Sequence, residues 1–509
     1  MAVAELLNVT MHTHVTTQRA RQFWLFCGGT LIAFGLLGCA SVPSSPERAG
    51  SDTAAASQRP PNIVVVLSDD QRYDTLGMNG HPFIETPNID RLARQGVRFD
   101  NSFVITSLCQ PSRATLLTGR YTHRTQVTAN RGANRNPEAS MVVRLRQAGY
   151  RTGFFGKYHL EDCTPRPEFD HWECLAGRLG QGTYVEGKIN VNGVKQPYEG
   201  YSTDTVTERA NAWIASQQDR PFFALISVKN PHVPLTPPPR HAELYADAEI
   251  ALPASADDPK EGLPAYVRAE MIAPALAQEL EAQADTAAAS DAAIGVLRSY
   301  ARMIPSIDDV VGRVDAGLEA AGLRDHTLLV FTSDNGILLG EHGIFRKKLA
   351  YEPSIRVPLV MRLPGRIPAG SRPPQMVLNV DLAATFLDAA GVEPEPELEL
   401  DGRSLLELLD NPRARWRESW VYIAPYRRRS QPPFLALRTE RWKYVRYAGS
   451  PIEEQLFDLQ SDPAERQNLA AAPASQRQLE RMRRQLRQGA RELELPPSWY
   501  PTERRAGSS

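Results

Sequence analysis

Net charge is almost absent from this chain: 58 lysines and arginines against 59 aspartates and glutamates leave −1 over 509 residues. A protein that grips nucleic acid normally presents a clearly basic face, so no DNA or RNA partner is expected. The apolar run from Phe23 to Leu37 is too short for a comfortable transmembrane helix. Cysteine is sparse, five residues in all. No internal repeat is visible, which sets repeat architectures aside. What remains is ordinary globular material, 42% hydrophobic and 23% charged. It is long enough for one large domain and a smaller one.

The first segment stands apart. Arg19 and Arg21 precede the Phe23–Leu37 run, and basic residues before a short apolar stretch are the form of a secretory signal. Met11 as the start gives a more typical basic region. The run ends Leu36-Leu37-Gly38-Cys39-Ala40, which resembles the lipobox of bacterial lipoproteins, where the cysteine is lipidated and becomes the mature N-terminus. On that reading residues 1–38 are a lipoprotein-type signal peptide and Cys39 carries lipid. The protein is then exported, periplasmic or on the outer surface, and meets a bacterial membrane only through that lipid. An ordinary signal peptide with an incidental cysteine is the competing account. Export permits Cys163 and Cys174 to pair, leaving Cys109 single; two unpaired thiols are the alternative.

Residues 39–60 are rich in Ser, Ala and Pro and lack periodicity, the composition of a flexible tether. From 61 to 395 short apolar runs alternate with helical stretches, which predicts an α/β fold around a large, mostly parallel sheet. Within it, about 235–290 turns Ala-, Pro- and Glu-rich and reads as a helical insertion. Glu393-Pro394-Glu395-Pro396 marks a boundary. Over 396–509, the stretches Trp416–Tyr422 and Phe434–Tyr447 predict a small antiparallel sheet, and a charged helix from about Ala474 to Leu493 follows Pro473.

Four predicted strands end in chemistry. Asn62–Leu67 is continuously apolar after its first residue, as a strand buried on both faces should be, and stops at Ser68-Asp69-Asp70. Thr327–Thr332 stops at Ser333-Asp334-Asn335-Gly336, Phe222–Val228 at Lys229-Asn230-Pro231-His232, and Thr152–Gly156 at Lys157-Tyr158-His159. Ligands of open α/β sheets bind outside the carboxyl ends of strands, so these clusters should gather on one edge. One strand ending in Asp is unremarkable, because turns favour Asp; four titratable endings are harder to dismiss. Asp69, Asp70, Asp334 and Asn335 are hard oxygen donors, suited to calcium or magnesium rather than zinc. Without a cation, three clustered carboxylates would repel and at least one would protonate. Separate turn-capping roles are the bland alternative.

The segment Cys109-Gln110-Pro111-Ser112-Arg113-Ala114-Thr115-Leu116-Leu117-Thr118-Gly119-Arg120 reads as a helix start, since Pro111 suits a first turn. Cys109 would sit at a helix N-terminus, where backbone N–H groups favour anions. That describes an activated cysteine or an anion site; a buried structural cysteine is the other account.

These twelve residues match the sulfatase signature, C-x-P-S-R followed by an L-T-G-R ending. The resemblance runs from about Pro61 to Leu469. It takes in Asp69-Asp70, Gly156 to Leu160, Pro231-His232 and Thr332 to Gly336. It continues through Gly343 to Lys347, Tyr351-Glu352, Leu456 to Leu459 and Asp462-Pro463. Tyr158 replaces the Trp common in the family, but it only flanks the Lys and His. The fold implied is an alkaline-phosphatase-like sandwich around a large, mostly parallel sheet. A smaller C-terminal subdomain would carry a short antiparallel sheet and a terminal helix.

The resemblance implies more. In formylglycine-dependent (type I) sulfatases the signature cysteine, here Cys109, is oxidised to Cα-formylglycine by a formylglycine-generating enzyme. Its hydrate attacks sulfur to give a covalent sulfo-enzyme, and the second hydroxyl then expels sulfate. Asp69, Asp70, Asp334 and Asn335 would hold one Ca²⁺ ion, with modified Cys109 completing the shell. Arg113 would hold the diol, and His159 would accept its second proton. Lys157 and Lys347 would neutralise the sulfuryl group; Lys348, next along, is the weaker candidate. His232 would protonate the leaving oxygen.

Phe169 to Glu173, Gly180 to Tyr184 and Gly200 to Asp204 resemble bacterial relatives of the N-acetylglucosamine-6-sulfatases. This implies a sulfated carbohydrate substrate, with aromatic and amide side chains that either bind sugar or pack the loop. Two other classes compete: a phosphate or phosphonate monoester hydrolase of the same superfamily, and an inactive glycan-binding lipoprotein.

Overall fold

Every residue of the strand Asn62–Ser68 is buried. Ile63, Val65 and Leu67 face one hydrophobic core, Val64 and Val66 another, which is why alternate positions are apolar without a break. The computed structural model describes residues 59–131, 137–259, 263–264, 267, 289–393, 398–425, 433–448 and 452–499. The expected signal segment, Cys39 and nearly all of the expected tether lie outside these residues, as does 268–288 of the expected insertion. The insertion's described part contains turns, the short 3₁₀ helix Pro239–His241 and, at its end, the first residues of the helix Ala289–Ala301.

In chain order, β1 (Asn62–Ser68), β2 (Val97–Arg98), β3 (Ser102–Phe103) and β4 (Arg151–Gly156) come first. Then follow β5 (His171–Ala176), β6 (Val185–Val191), β7 (Val194–Tyr201) and β8 (Phe222–Ser227). Next come β9 (Thr327–Ser333), β10 (Leu338–Leu339), β11 (Phe345–Arg346), β12 (Leu359–Arg362) and β13 (Val377–Leu378). The last four are β14 (Ser419–Ala424), β15 (Phe434–Thr439), β16 (Trp442–Tyr447) and β17 (Glu453–Asp458).

A nine-stranded sheet has the order β2-β12-β9-β1-β8-β4-β5-β6-β7. Its five central strands, β9 to β5, are parallel. The outer strands on both sides pair antiparallel. Helices Cys109–Thr118, Met141–Gln147, Asp381–Ala389 and Leu405–Asp410 cover one face. Pro87–Gln95, Ser202–Ala215, Ala289–Ala301 and Ile304–Ala320 cover the other. The last of these buries Ile304, Ile307, Val311, Val314 and Leu318, the spacing of one helical face. No helix among the described residues is long and apolar enough to cross a membrane.

Strands β14 to β17 form an antiparallel meander, and helix Gln476–Glu492 lays Leu479, Met482, Leu486 and Ala490 into the same core. The stretch Phe434–Tyr447 holds two strands, β15 and β16, folded back at Glu440-Arg441. Leu398, Leu405, Leu406, Leu408 and Trp416 pack with the large sheet's core rather than with the meander. The meander buttresses the chain just before the signature: Ile423 N donates to Ile105 O at 2.9 Å, and Ser107 N to the Tyr422 hydroxyl at 3.2 Å.

Register brings the strand ends into line. Ser68 pairs with Ser333, and Ser227 lies opposite both Leu67 and Gly156. Gly156 leaves β4 at φ 107, where a Cβ would collide with the Ser227 carbonyl; only glycine permits that exit.

Candidate active site

Because the strands end together, Asp69-Asp70, Lys157-Tyr158-His159, Lys229 to His232 and Asp334-Asn335 converge on one edge, as their sequence positions predict. Helix Cys109–Thr118 enters this edge with Cys109 as its first residue. The helix is buried on all sides. Gln110 N donates to Asn130 Oδ1 at 3.1 Å and Asn379 Nδ2 to Ser112 Oγ at 2.9 Å, fixing its first turn. Lys347 arrives just after β11, and its Nζ lies 2.8 Å from Cys109 Sγ and 2.5 Å from Asp70 Oδ1.

Ligand atoms of Asp69, Asp70, Cys109 and Asp334 all fall within 4.8 Å of one another. Cys109 Sγ is 3.4 Å from Asp69 Oδ1 and 3.9 Å from Asp70 Oδ1. Arg113 Nε donates to Asp334 Oδ2 at 2.8 Å, and its Nη1 donates to Lys157 O and Ser227 Oγ, both at 2.7 Å. Lys157 pairs with Asp69. His232 Nδ1 donates to Val233 O at 2.6 Å, so its proton sits there and Nε2 faces Asp70 Oδ2 at 3.7 Å. Asp70 and His159 hold left-handed backbone, φ 65 and 56, conformations that persist only where the surroundings over-determine them.

The electrostatics of the cluster are uneven. Burial raises Asp69, but Lys157, His232, Arg113 and Lys347 overcome it and hold the carboxyl well below its usual range. Burial, then the Asp69 charge, pushes Asp334 up to about 6, the partial protonation that crowded carboxylates impose. Burial, then Asp69, lifts the Cys109 thiol well above its ordinary value. As a plain thiol it is therefore a poor nucleophile. Burial, then Lys157, depresses His159 far below the ordinary histidine range and His232 to about 4.

A divalent cation fits these residues. The donors are carboxylates and an amide, and Asn335 Oδ1 is buried with no hydrogen-bond partner among the described residues. Arg113 Nη2 likewise carries no hydrogen bond there, lying 3.6 Å from Asp69 Oδ2.

Residues 61–392 match the model of the Sulfatase family, and 340–492 match that of N-sulphoglucosamine sulphohydrolase, C-terminal. The chain belongs to the sulfatase family. This sulfatase is a sulfuric ester hydrolase, with relatives along most of its length. The N-acetylglucosamine-6-O-sulfatase of Bacteroides thetaiotaomicron is 31% identical over 80% of this chain and 82% of that one. The ulvan-active sulfatase of Formosa agariphila is 29% identical over 87% and 82%. A solved structure in complex with its substrate D-glucosamine-2-N,6-O-disulfate superposes with a TM-score of 0.78. It has 28% identity, over 86% of this chain and 99% of that one.

The structure also joins Cys163 to Cys174 in a disulfide, leaving Cys109 as the free cysteine among the described residues. Of the aromatics weighed as sugar-stacking groups, Phe169, Trp172, Tyr184 and Tyr201 are buried and pack the loop instead. Sequence reasoning passes over Ser227, and weighs Tyr184 only as a sugar-binding or packing group, without its link to the His232 turn. The first bonds Arg113, and the second meets the Lys229 and His232 carbonyls. A serine ending a strand and a tyrosine in a glycine-rich loop carry no signal that separates them from turn residues.

Proposed function

We propose that this sulfatase desulfates glycans, with N-acetylglucosamine-6-sulfate the first substrate to test, using Cys109 as formylglycine and one calcium ion held by Asp69, Asp70, Asp334 and Asn335. The observation that carries this reading is the convergence of Cys109, four oxygen donors and the cations Arg113, Lys157 and Lys347 on one strand edge. Hydrated formylglycine supplies a geminal diol whose oxygens attack sulfur and later expel sulfate, and calcium supplies the Lewis acidity that orients a sulfate oxygen and lowers the diol pKa.

The chain's own residues do the rest. Arg113, whose Nη2 carries no hydrogen bond among the described residues, holds the diol at residue 109. Lys157 and Lys347 neutralise charge on the sulfuryl group. His159, kept neutral by its burial, takes the proton given up when sulfate departs. His232 presents Nε2 to the leaving oxygen and protonates it. Its value of about 4 belongs to the pocket before substrate enters; the sulfate anion arriving beside the ring raises it.

The amino-sugar substrate draws support from the B. thetaiotaomicron relative, named for N-acetylglucosamine 6-O-sulfate, and from the disulfated glucosamine in the superposed structure. We also propose export as a lipoprotein on Cys39 and maturation by a formylglycine-generating enzyme. The Cys163–Cys174 bridge supports an oxidising compartment.

The test is a comparison of rates on N-acetylglucosamine-6-sulfate, p-nitrophenyl sulfate, p-nitrophenyl phosphate and a phenylphosphonate ester. Sulfate esters should be turned over fastest, the sugar ester among them. Faster phosphate or phosphonate cleavage would shift the assignment to that branch of the superfamily. Glycan binding without turnover by the formylglycine form would mark a binding protein.

A further inference from the structure

The hydroxyl of Tyr184, on a side chain 4% exposed, lies 3.0 Å from Lys229 O and in closer contact with His232 O. His232 N donates to the same Lys229 O at 2.9 Å. The two carbonyls that bracket the His232 turn therefore meet at one phenol. The ring is itself held: it stacks on Tyr201 at 5.7 Å and 15°, and Lys229 Nζ sits 4.9 Å from its centroid while donating to Gly182 O at 3.0 Å. Tyr201 in turn donates to Thr236 O at 2.8 Å and accepts from Asn230 Nδ2 at 2.9 Å. Two stacked tyrosines thus clamp the segment from Lys229 to Thr236.

The His232 side chain has little else to aim it. Its Nδ1 hydrogen bond goes to Val233 O, its own neighbour along the chain, so the ring follows wherever the backbone turn goes. The opposite nitrogen must meet an oxygen on the substrate, and a displacement of about 1 Å at such a contact can cost up to about 10² in rate.

We propose that Tyr184 is the positioning residue for His232: its hydroxyl fixes the Lys229–His232 turn so that Nε2 reaches the leaving oxygen. This rests on the reading of His232 as the leaving-group acid. It makes a particular demand on kinetics. A group that acts only through His232 must matter where the leaving oxygen needs a proton and must matter little where it does not. A residue that merely stabilises the loop has no reason to distinguish the two.

Tyr184→Phe removes one oxygen and keeps the stacked ring. The substitution is made alone and together with His232→Ala, and kcat is measured on N-acetylglucosamine-6-sulfate and p-nitrophenyl sulfate. On the sugar ester, an alkyl leaving group, Tyr184→Phe alone should lower kcat about tenfold, with a clearly smaller loss on the aryl ester. Added to His232→Ala, it should lower the sugar-ester rate no further. Equal losses on the two esters, or a further tenfold loss in the His232→Ala background, overturn the proposal. The readout is the ratio between substrates, so a variant that is simply less stable or less fully matured moves both rates together and counts against it. A sulfatase reading that is itself mistaken shows earlier, as no turnover of either sulfate ester by the unsubstituted protein.

Discussion

Asn335 gives its amide nitrogen to Asp70 Oδ1 at 2.5 Å, while its carbonyl oxygen, equally buried, accepts no hydrogen bond among the described residues. A buried acceptor left in that state costs about 1–3 kcal/mol. Beside three carboxylates, a cation is the partner that removes the cost. Calcium should therefore raise the melting temperature of the protein, and a chelator should lower it. Calcium at a hundredfold excess over its Kd contributes about 2.7 kcal/mol. Asn335→Leu should shrink that calcium-dependent shift, read by calorimetry without any substrate. An unsubstituted protein indifferent to calcium and chelator would remove the metal from this site.

Cys109 and Asp69 approach to 3.4 Å, a neighbour that a thiolate should avoid. Burial and that carboxylate hold the thiol well above its ordinary pKa, so an unmodified Cys109 offers little nucleophile at neutral pH. Conversion to the proposed aldehyde would relieve this conflict, because the hydrated form need not carry a thiolate charge. The peptide containing Cys109, isolated from the native host, should be lighter than its thiol form by mass spectrometry. Cys109→Ala should lose sulfatase activity by a factor on the order of 10³ or more while keeping the wild-type melting profile. A thiol-mass peptide from fully active protein would contradict the assignment.

Much of this edge is legible in the chain because burial on both faces leaves the middles of β1 (Ile63–Leu67) and β9 (Leu328–Phe331) without a polar position. The switch from apolar run to Asp69-Asp70 or Asp334-Asn335 is therefore abrupt and visible. Lys347 is different: it follows a two-residue strand, and no periodicity singles it out, so only the family resemblance brings it to the site. The contacts of Ser227 and Tyr184 stay hidden because their partners are remote in sequence. Arg113 lies 114 residues from Ser227, and His232 lies 48 residues from Tyr184. Which loop reaches which is decided by packing, and local pattern holds no record of it.

Lys443 is fully buried between Glu352 Oε1 at 2.8 Å and Glu465 Oε1 at 2.7 Å, with Arg438 Nε 3.0 Å from Glu352. Glu352 follows Tyr351 close after Lys347, so these charges tie the small sheet to the segment that carries Lys347 into the site. Burial already pushes Glu465 up to about 7 against the pull of Lys443, so Lys443→Met would leave it protonated and Glu352 facing Arg438 without its second cation, which should destabilise the protein by about 3–5 kcal/mol at neutral pH. Burial opposes ionisation of Glu352, but Arg438 and Lys443 prevail and hold it below the usual carboxylate range. A depressed folded pKa contributes stability above the unfolded value, about 4.3, and loses it as pH falls toward the folded one. The gap between variant and wild type in urea melts should accordingly narrow below about pH 4. A gap independent of pH would mean the loss is one of packing.

His232 and Asp70 face each other across 3.7 Å, and a ring nitrogen of His232 lies within 4.8 Å of ligand atoms of Asp69 and Cys109, which places the imidazole beside the proposed nucleophile. From there it can reach a leaving oxygen. An alkyl alkoxide departs poorly unless protonated, whereas an aryl oxide with an electron-withdrawing ring departs unaided. His232→Ala should therefore reduce kcat on N-acetylglucosamine-6-sulfate by about 10² to 10⁴, and on p-nitrophenyl sulfate by much less. If His232 instead binds the sulfuryl group, both esters lose the same contact and both rates fall together. The ratio of the two losses decides between proton donor and anion ligand, because only the donor's contribution depends on the basicity of the group that leaves.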